Sequence, residues 1–317
     1  MTHEHHDPSP ADLVIIGGGP AGMSAALMAG RGRLATVIVS AESPRNTVTT
    51  ASHGFLTRDG AHPSELLAAS KDQLTKYKSV SYADGTVTAA TRAADGFEVT
   101  LAGGRQIATK RLVIATGHVD DLDSLGLPGI KDIYGSSAYP CVFCDGFEHR
   151  DQRLALIGRE GAINYAPMVR LWSDDLMVFT NGANLGPADA ALLEANHVEV
   201  HTEPIRRLES EDGQLRAVVL DTGQRIERDV CFISEEYSRP ATTLAQELGV
   251  TSSPNDWGGS SLDADNTGRS AIDGLYVVGD ARTGFSGLIA AAAEGAACAE
   301  MIAHEIAAER WSHPVTT

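Results

Sequence analysis

The chain has 317 residues, 43% of them hydrophobic and 5% aromatic, with a formal net charge of −17 and a sequence pI near 5.0. This length allows one large domain or two medium ones, and the acidic balance argues against nucleic acid, whose phosphates need a basic face. Four cysteines, two of them close in sequence, form no disulfide framework and point to a reducing, cytoplasmic setting; no apolar run approaches a membrane span, and the polar N-terminus with His3, His5 and His6 reads as a tail rather than a signal peptide.

Residues 12–16 form a short apolar run, which predicts a buried strand. It leads into Gly17-Gly18-Gly19-Pro20-Ala21-Gly22 and an alanine-rich helical stretch to about Arg31, with Pro20 suited to the first helical turn. A second strand over 36–39 completes a βαβ opening. The G-x-G-x-x-G spacing carries weight here because it follows a strand and opens a helix. Glycines there allow the tight turn and let a pyrophosphate approach the helix N-terminus. The acid expected after the second strand to hold a ribose is missing; Ser40 stands there, with Glu42 two residues later as its substitute.

A helical pattern returns over 63–77. Strand-like pieces follow at 81–88, 96–101 and 105–108, with turns at Asp84-Gly85, Asp95-Gly96 and Gly103-Gly104. Another buried strand, 111–115, ends at Thr116-Gly117. A second βαβ unit starts at Arg153, with a strand at 154–157, a turn at Gly158-Arg159-Glu160-Gly161, a helix over 164–171 and a strand at 176–180. Hairpin-like segments cover 198–226, then a strand at 230–234 and a polar connector at 235–240. Residues 274–278 form a strand closed by Gly279-Asp280, and a long alanine-rich helix covers 287–309. The fold class is α/β, with two Rossmann-like dinucleotide-binding domains. The second (119–240) is inserted into the first (1–118 with 241–317).

Inside the inserted domain, ahead of its βαβ unit, lies Cys141-Val142-Phe143-Cys144-Asp145-Gly146, preceded by Tyr139-Pro140. Cysteines at C-x-x-C spacing can close a small disulfide ring, and a helix opening at the pair lowers a thiol's pKa. This is the equipment of two-electron thiol–disulfide exchange, and Asp145 could move the proton involved. Zinc would need two further ligands, whereas Cys231 and Cys298 read as lone core residues. Glu148 and His149 read as a solvated helix face rather than catalytic groups, though His149 could assist proton transfer.

Three motifs join the first glycine turn: 109–117 as T-x-x-x-apolar-A-T-G, 274–280 as G-x-Y-x-x-G-D, and the C-x-x-C-D itself. Together they resemble the thioredoxin-reductase-like FAD flavoproteins over nearly the whole chain. Ser52-His53-Gly54-Phe55-Leu56, with Pro44-Arg45-Asn46 ahead of it, looks like the dithiol oxidase branch, of the gliotoxin and holomycin type; low-molecular-weight thioredoxin reductase is the parent family. The resemblance implies a homodimer that binds FAD. It puts the cofactor against Gly17, Gly19, Pro20, Ala21, Gly22, Ser40, Glu42, Arg45, Asn46, Val87, Ala115, Thr116, Gly117, Gly279, Asp280 and Gly287, with Asp280 accepting from a ribityl hydroxyl. It further implies that Cys144 faces the flavin, Cys141 exchanges with substrate and Asp145 is the acid/base. His53 could approach the ring as a catalytic group, or serve as a packing residue.

The second glycine turn decides the direction of electron flow. Glu160 occupies the position where relatives that use NADPH carry a glycine, and a carboxylate there repels phosphate. The next strand ends in Phe179-Thr180-Asn181-Gly182, without a cation for NADP or an acid for NAD; a divergent site using Arg159 or Arg170 is the alternative. Ser286-Gly287 stands where thioredoxin reductases carry Arg-Gln. The reading is therefore an FAD-dependent dithiol oxidase, closing a small dithiol to its disulfide and giving hydrogen peroxide from molecular oxygen. Asp145 supports the rival, an NAD(P)H-dependent reductase acting on thioredoxin, because some dithiol oxidases carry His there. A flavin-bearing redox sensor without turnover is a further alternative, against which the intact cysteine pair speaks. The acidic charge weighs against a ferredoxin-fed reductase.

Overall fold

The computed structural model describes residues 10–41, 44–234, 237–254 and 260–312. They fall into two compact units, one drawn from 1–45, 64–119 and 239–317, the other from 46–63 and 120–238. The segment 46–63 groups with the second unit rather than with the residues that flank it.

In the first unit, Leu13–Ile16 is the middle strand of a five-stranded parallel sheet. Thr36–Ser40 and then Val80–Asp84 lie on one side, Leu112–Ile114 and Leu275–Val277 on the other. All four residues of the middle strand are buried, as a parallel sheet covered on both faces requires. Its residues alternate between two cores: Leu13 and Ile15 pack with Ile38, Val113 and Tyr276, while Val14 and Ile16 pack with Val39, Leu112 and Val277. The stretch 81–88 expected as one strand is two, Val80–Asp84 and Val87–Ala93. Gly85 between them has φ +147°, a break only glycine makes cheaply. The second piece joins an antiparallel sheet with Gly96–Leu101 and Gln106–Thr109.

The first helix, Pro20–Arg31, packs closely against the C-terminal helix, Leu288–Ser312. A Cβ on Gly295 would come 1.9 Å from the Ala21 carbonyl oxygen, so the alanine and glycine content of both helices reflects backbone-to-backbone approach.

The second unit repeats the plan. Leu154–Ile157 is central, flanked by Leu176–Phe179 and Glu199–His201 on one side and by Val230–Ile233 and Ala138–Tyr139 on the other, all parallel. Its helix runs over Glu160–Val169, beginning four residues before the expected start and directly after the glycine turn. The region read as hairpins gives Glu199–His201 to the parallel sheet, and the rest forms an antiparallel sheet of Ile205–Glu211, Gln214–Leu220 and Arg225–Glu227. The helix Pro187–Ala195 went unread although Pro187 marks its first turn.

Candidate active site

The cysteine pair belongs to the second unit. The strand Ala138–Tyr139 sits at the sheet edge, in register with Cys231 and Phe232. The chain leaves it through Pro140. Cys141 is extended (φ −138°) and caps a single helical turn, Val142–Asp145. Two side chains fix this turn: the Cys144 N–H donates to the Cys141 sulfur at 3.2 Å, and the Val142 N–H donates to the Tyr165 hydroxyl at 3.2 Å. Tyr165 comes from the helix after the second glycine turn and was not singled out from the sequence. Gly146 is glycine for contact reasons, because a Cβ there would stand 2.4 Å from the Val142 carbonyl oxygen and 3.0 Å from the Trp172 ring.

Cys141 and Cys144 are disulfide-bonded, with Cα atoms 5.3 Å apart. On reduction, the Cys144 N–H would favour the thiolate on Cys141. Cys141 is 8% exposed and Cys144 half-buried. The other two cysteines are buried in separate cores, where desolvation pushes each thiol up to about 12. Among the described residues, no three His, Cys, Asp or Glu side chains gather as a metal site.

Burial pushes the Asp145 carboxyl up to about 7; the His53 charge opposes this and the Glu148 charge adds to it. His53 lies between two carboxylates, with Nδ1 3.5 Å from Asp59 and Nε2 3.6 Å from Glu148. Asp59 also accepts the Gly54 N–H at 2.9 Å, which closes the loop that carries His53. Of the pair read as a solvated face, Glu148 is exposed, whereas the reading of His149 needs correcting. Glu148 faces His53, and His149 is half-buried, bonded to the Tyr139 hydroxyl at 3.1 Å and to Gln152 at 3.2 Å, its ring 5.1 Å from the Tyr139 ring. Burial lowers the His149 pKa and raises that of Tyr139, whose hydroxyl donates to the Ser136 carbonyl at 2.7 Å. A periodic pattern shows which face a residue takes but not its through-space partner, so these contacts left no signal in the sequence.

In the first unit, Gly17, Ser40, Ala115 and Gly279 end or follow strands of the parallel sheet at their carboxyl ends, where the strand order reverses. Gly17 (φ +115°) approaches Ala115 so closely that a Cβ would lie 2.2 Å from its carbonyl oxygen; Gly22 would meet the Gly17 oxygen at 1.9 Å. Around Gly19 the space is open, and Pro20 and Ala21 begin the helix. Ser40 is buried beside Gly18, and Val87 and Ala115 are buried. Thr116 pairs with Thr242 at 3.2 Å, and the Gly117 oxygen accepts from Ala241.

The Gly279 N–H donates to Glu294 at 2.9 Å, and Glu294 also holds Arg282 at 2.8 Å. Asp280 accepts both the N–H and the hydroxyl of Ser286, at 2.9 and 2.7 Å, and stands 4.0 Å from the Arg45 guanidinium. Gly287 (φ +79°) precedes the C-terminal helix. In the second unit, Asn46 donates to Ser52 at 3.3 Å. Glu42 lies outside the described residues.

This cradle fits a dinucleotide. Gly17, Gly18 and Gly22 leave no room for side chains, the space at Gly19 is open, and the buried Tyr82 hydroxyl, next to Gly18, has no hydrogen-bond partner among the described residues. The corresponding crevice of the second unit differs. Gly158 is tight against Ser234, whose hydroxyl lies 2.1 Å from where a Cβ would be. Beyond the next strand, buried Thr180 donates its hydroxyl to the Ala183 carbonyl, and the Asn181 side chain accepts the Ile205 N–H at 2.9 Å.

A family model described as pyridine nucleotide-disulphide oxidoreductase matches residues 11–296. The chain belongs to this family. It is 27% identical over 301 residues to a probable thioredoxin reductase of Arthroderma benhamiae, covering 85% of this chain and 74% of that one. It is 27% identical over 282 residues to the thioredoxin reductase tcpT of Claviceps purpurea, covering 85% and 86%. Among solved structures, the putative thioredoxin reductase TrxB of Bacillus anthracis aligns at TM-score 0.88 with 34% identity, over 94% of this chain and 99% of that one. HlmI aligns at 0.89 with 31% identity, over 99% and 97%. The protein is thus a thioredoxin-reductase-like disulfide oxidoreductase of a flavoprotein family, and no described helix is long and apolar enough to cross a membrane.

Proposed function

We propose that this protein is an FAD-dependent oxidase of small dithiols. The observation that carries the reading is the crevice of the second unit: Thr180 and Asn181 are committed to local hydrogen bonds, and the sequence has Glu160 at the first position of the following helix. A hydride donor bearing phosphates meets a carboxylate in the sequence of this turn, and Thr180 and Asn181 rather than a cation beyond the next strand. Electrons then enter through the cysteine pair.

A substrate thiolate attacks the Cys141 sulfur, the Cys141–Cys144 bond breaks, and Cys144 leaves as the thiolate. The second substrate thiol displaces Cys141 and closes the substrate disulfide. The two substrate thiols give up two protons, and Asp145, held near neutrality by burial, is suited to accept one. FAD, when bound, would supply the two-electron sink, with dioxygen as the final acceptor, reduced to hydrogen peroxide. The glycine turn at 17–22, Ala115 to Gly117, and Gly279 with Asp280 would hold it. Because Cys141 is 8% exposed, a small attacking thiol reaches its sulfur with less rearrangement than a protein would.

A second reading, an NAD(P)H-dependent thioredoxin reductase acting on thioredoxin, is favoured by the close-packed Gly158. The Ser234 hydroxyl beside it is buried and without a partner among the described residues. One experiment divides the two. The purified, oxidised flavoprotein is mixed anaerobically with NADPH, NADH or dithiothreitol while the flavin absorbance is followed. Bleaching by the dithiol alone, then peroxide on admitting air, is the expected result. Rapid bleaching by micromolar NADPH would overturn the oxidase reading.

A further inference from the structure

Dithiol exchange leaves a proton on a half-buried carboxyl, and that proton must leave before the next turnover. Two titratable groups of the cysteine segment are already engaged. The Tyr139 hydroxyl donates to Ser136, and His149 is bonded to Tyr139 and to Gln152. His53 acts on the Asp145 carboxyl through its charge, and its two ring nitrogens each face a carboxylate at 3.5 and 3.6 Å, within ion-pair range but too long for tight hydrogen bonds. An imidazole locked for packing holds one tautomer through short bonds to fixed partners; this one can take a proton at one nitrogen and release it from the other. Exposure rises outward along the same path, from 18% for His53 to 41% for Glu148 and 70% for Asp59. All these residues lie in the second unit.

We propose that His53 and Glu148 form the proton outlet of the dithiol site. The proton that Asp145 takes from a substrate thiol passes to the His53 imidazole, then to Glu148 or Asp59, and so to water. No electrons move in this step; Asp145 returns to its carboxylate and His53 to the form in which it began. His53 and Glu148 act through Asp145 and are positioning residues. The inference rests on the proposed exchange at Cys141 and Cys144, and it assigns Glu148 a part in that exchange.

The test is a single anaerobic turnover of the flavoprotein with dithiothreitol in weak buffer, followed by flavin absorbance and by a pH-indicator dye. His53→Gln is expected to slow release of protons to solution by about tenfold or more, to become dependent on buffer concentration, and to recover with added imidazole. Glu148→Gln, which leaves the His53 loop tied by Asp59, is expected to slow release several-fold. The pH midpoint of flavin reduction should fall in Glu148→Gln, since the lost negative charge favoured protonated Asp145. It should rise in His53→Gln, since the lost positive charge opposed protonation.

A purely structural role for the loop would give slower variants with unmoved midpoints and no response to imidazole, and that result overturns the outlet. If wild-type protein is not bleached by any dithiol, the proposed function fails and the outlet with it. If wild type reacts and both variants keep its rate and midpoint, only the outlet fails.

Discussion

Replacing Asp145 with Asn removes an ionisation that the fold opposes. Burial moves this carboxyl from an ordinary 3.8 up to about 7. Each pKa unit corresponds to about 1.4 kcal/mol, so above neutrality the native state carries an ionisation cost of about 4 kcal/mol that the unfolded chain avoids. Between the unfolded and folded pKa values the folded state binds more protons. Wild-type stability therefore falls as pH rises through that window, and the fall ends once both states are ionised. Asn has no such dependence. The stability advantage of Asp145→Asn should grow by about 2.5 kcal/mol between pH 5 and pH 8 and then level off. Urea unfolding of both proteins across that range, with the disulfide kept oxidised and Trp172 fluorescence reporting on this unit, measures the difference. A gap that stays constant with pH, or one that closes as pH rises, would refute the argument that burial holds the carboxyl protonated.

Three further changes probe the rest of the structure. Gly295→Ala drives a methyl group against the Ala21 carbonyl oxygen; overpacking of this kind costs about 1–3 kcal/mol, and a variant with unchanged melting temperature and flavin content would contradict the close helix contact. Cys144→Ser should abolish dithiol-driven flavin bleaching, and persistent bleaching would mean the electrons take another route. Asn181→Ala removes the hydrogen bond to Ile205 and should cost about 1 kcal/mol in a denaturation assay, with the response to NADPH the same as that of wild type; a changed nucleotide response would give Asn181 a binding role.

The residues that carry local conformation were readable in one dimension. Gly17 and Gly22 announce a close backbone approach only glycine allows, and apolar runs between such turns mark strands buried on both faces. Cys141 and Cys144 at three-residue spacing declare their own chemistry, because a disulfide ring of that size depends on local backbone alone. The stretch 81–88 shows the limit of this reading: its residue types suit a strand throughout, but the backbone sign at Gly85 breaks it.

What tertiary structure alone decided is the electrical setting of the cysteine pair. His53 and Glu148 are 95 residues apart in the chain and 3.6 Å apart in space. The shift of Asp145 depends on the water removed from around it, and the fate of Asn181 on an N–H that Ile205 presents 24 residues later. Residue type and spacing encode which backbone shapes a segment can adopt. Coulomb energy and desolvation depend on through-space distance and burial, and these exist only once the chain has folded.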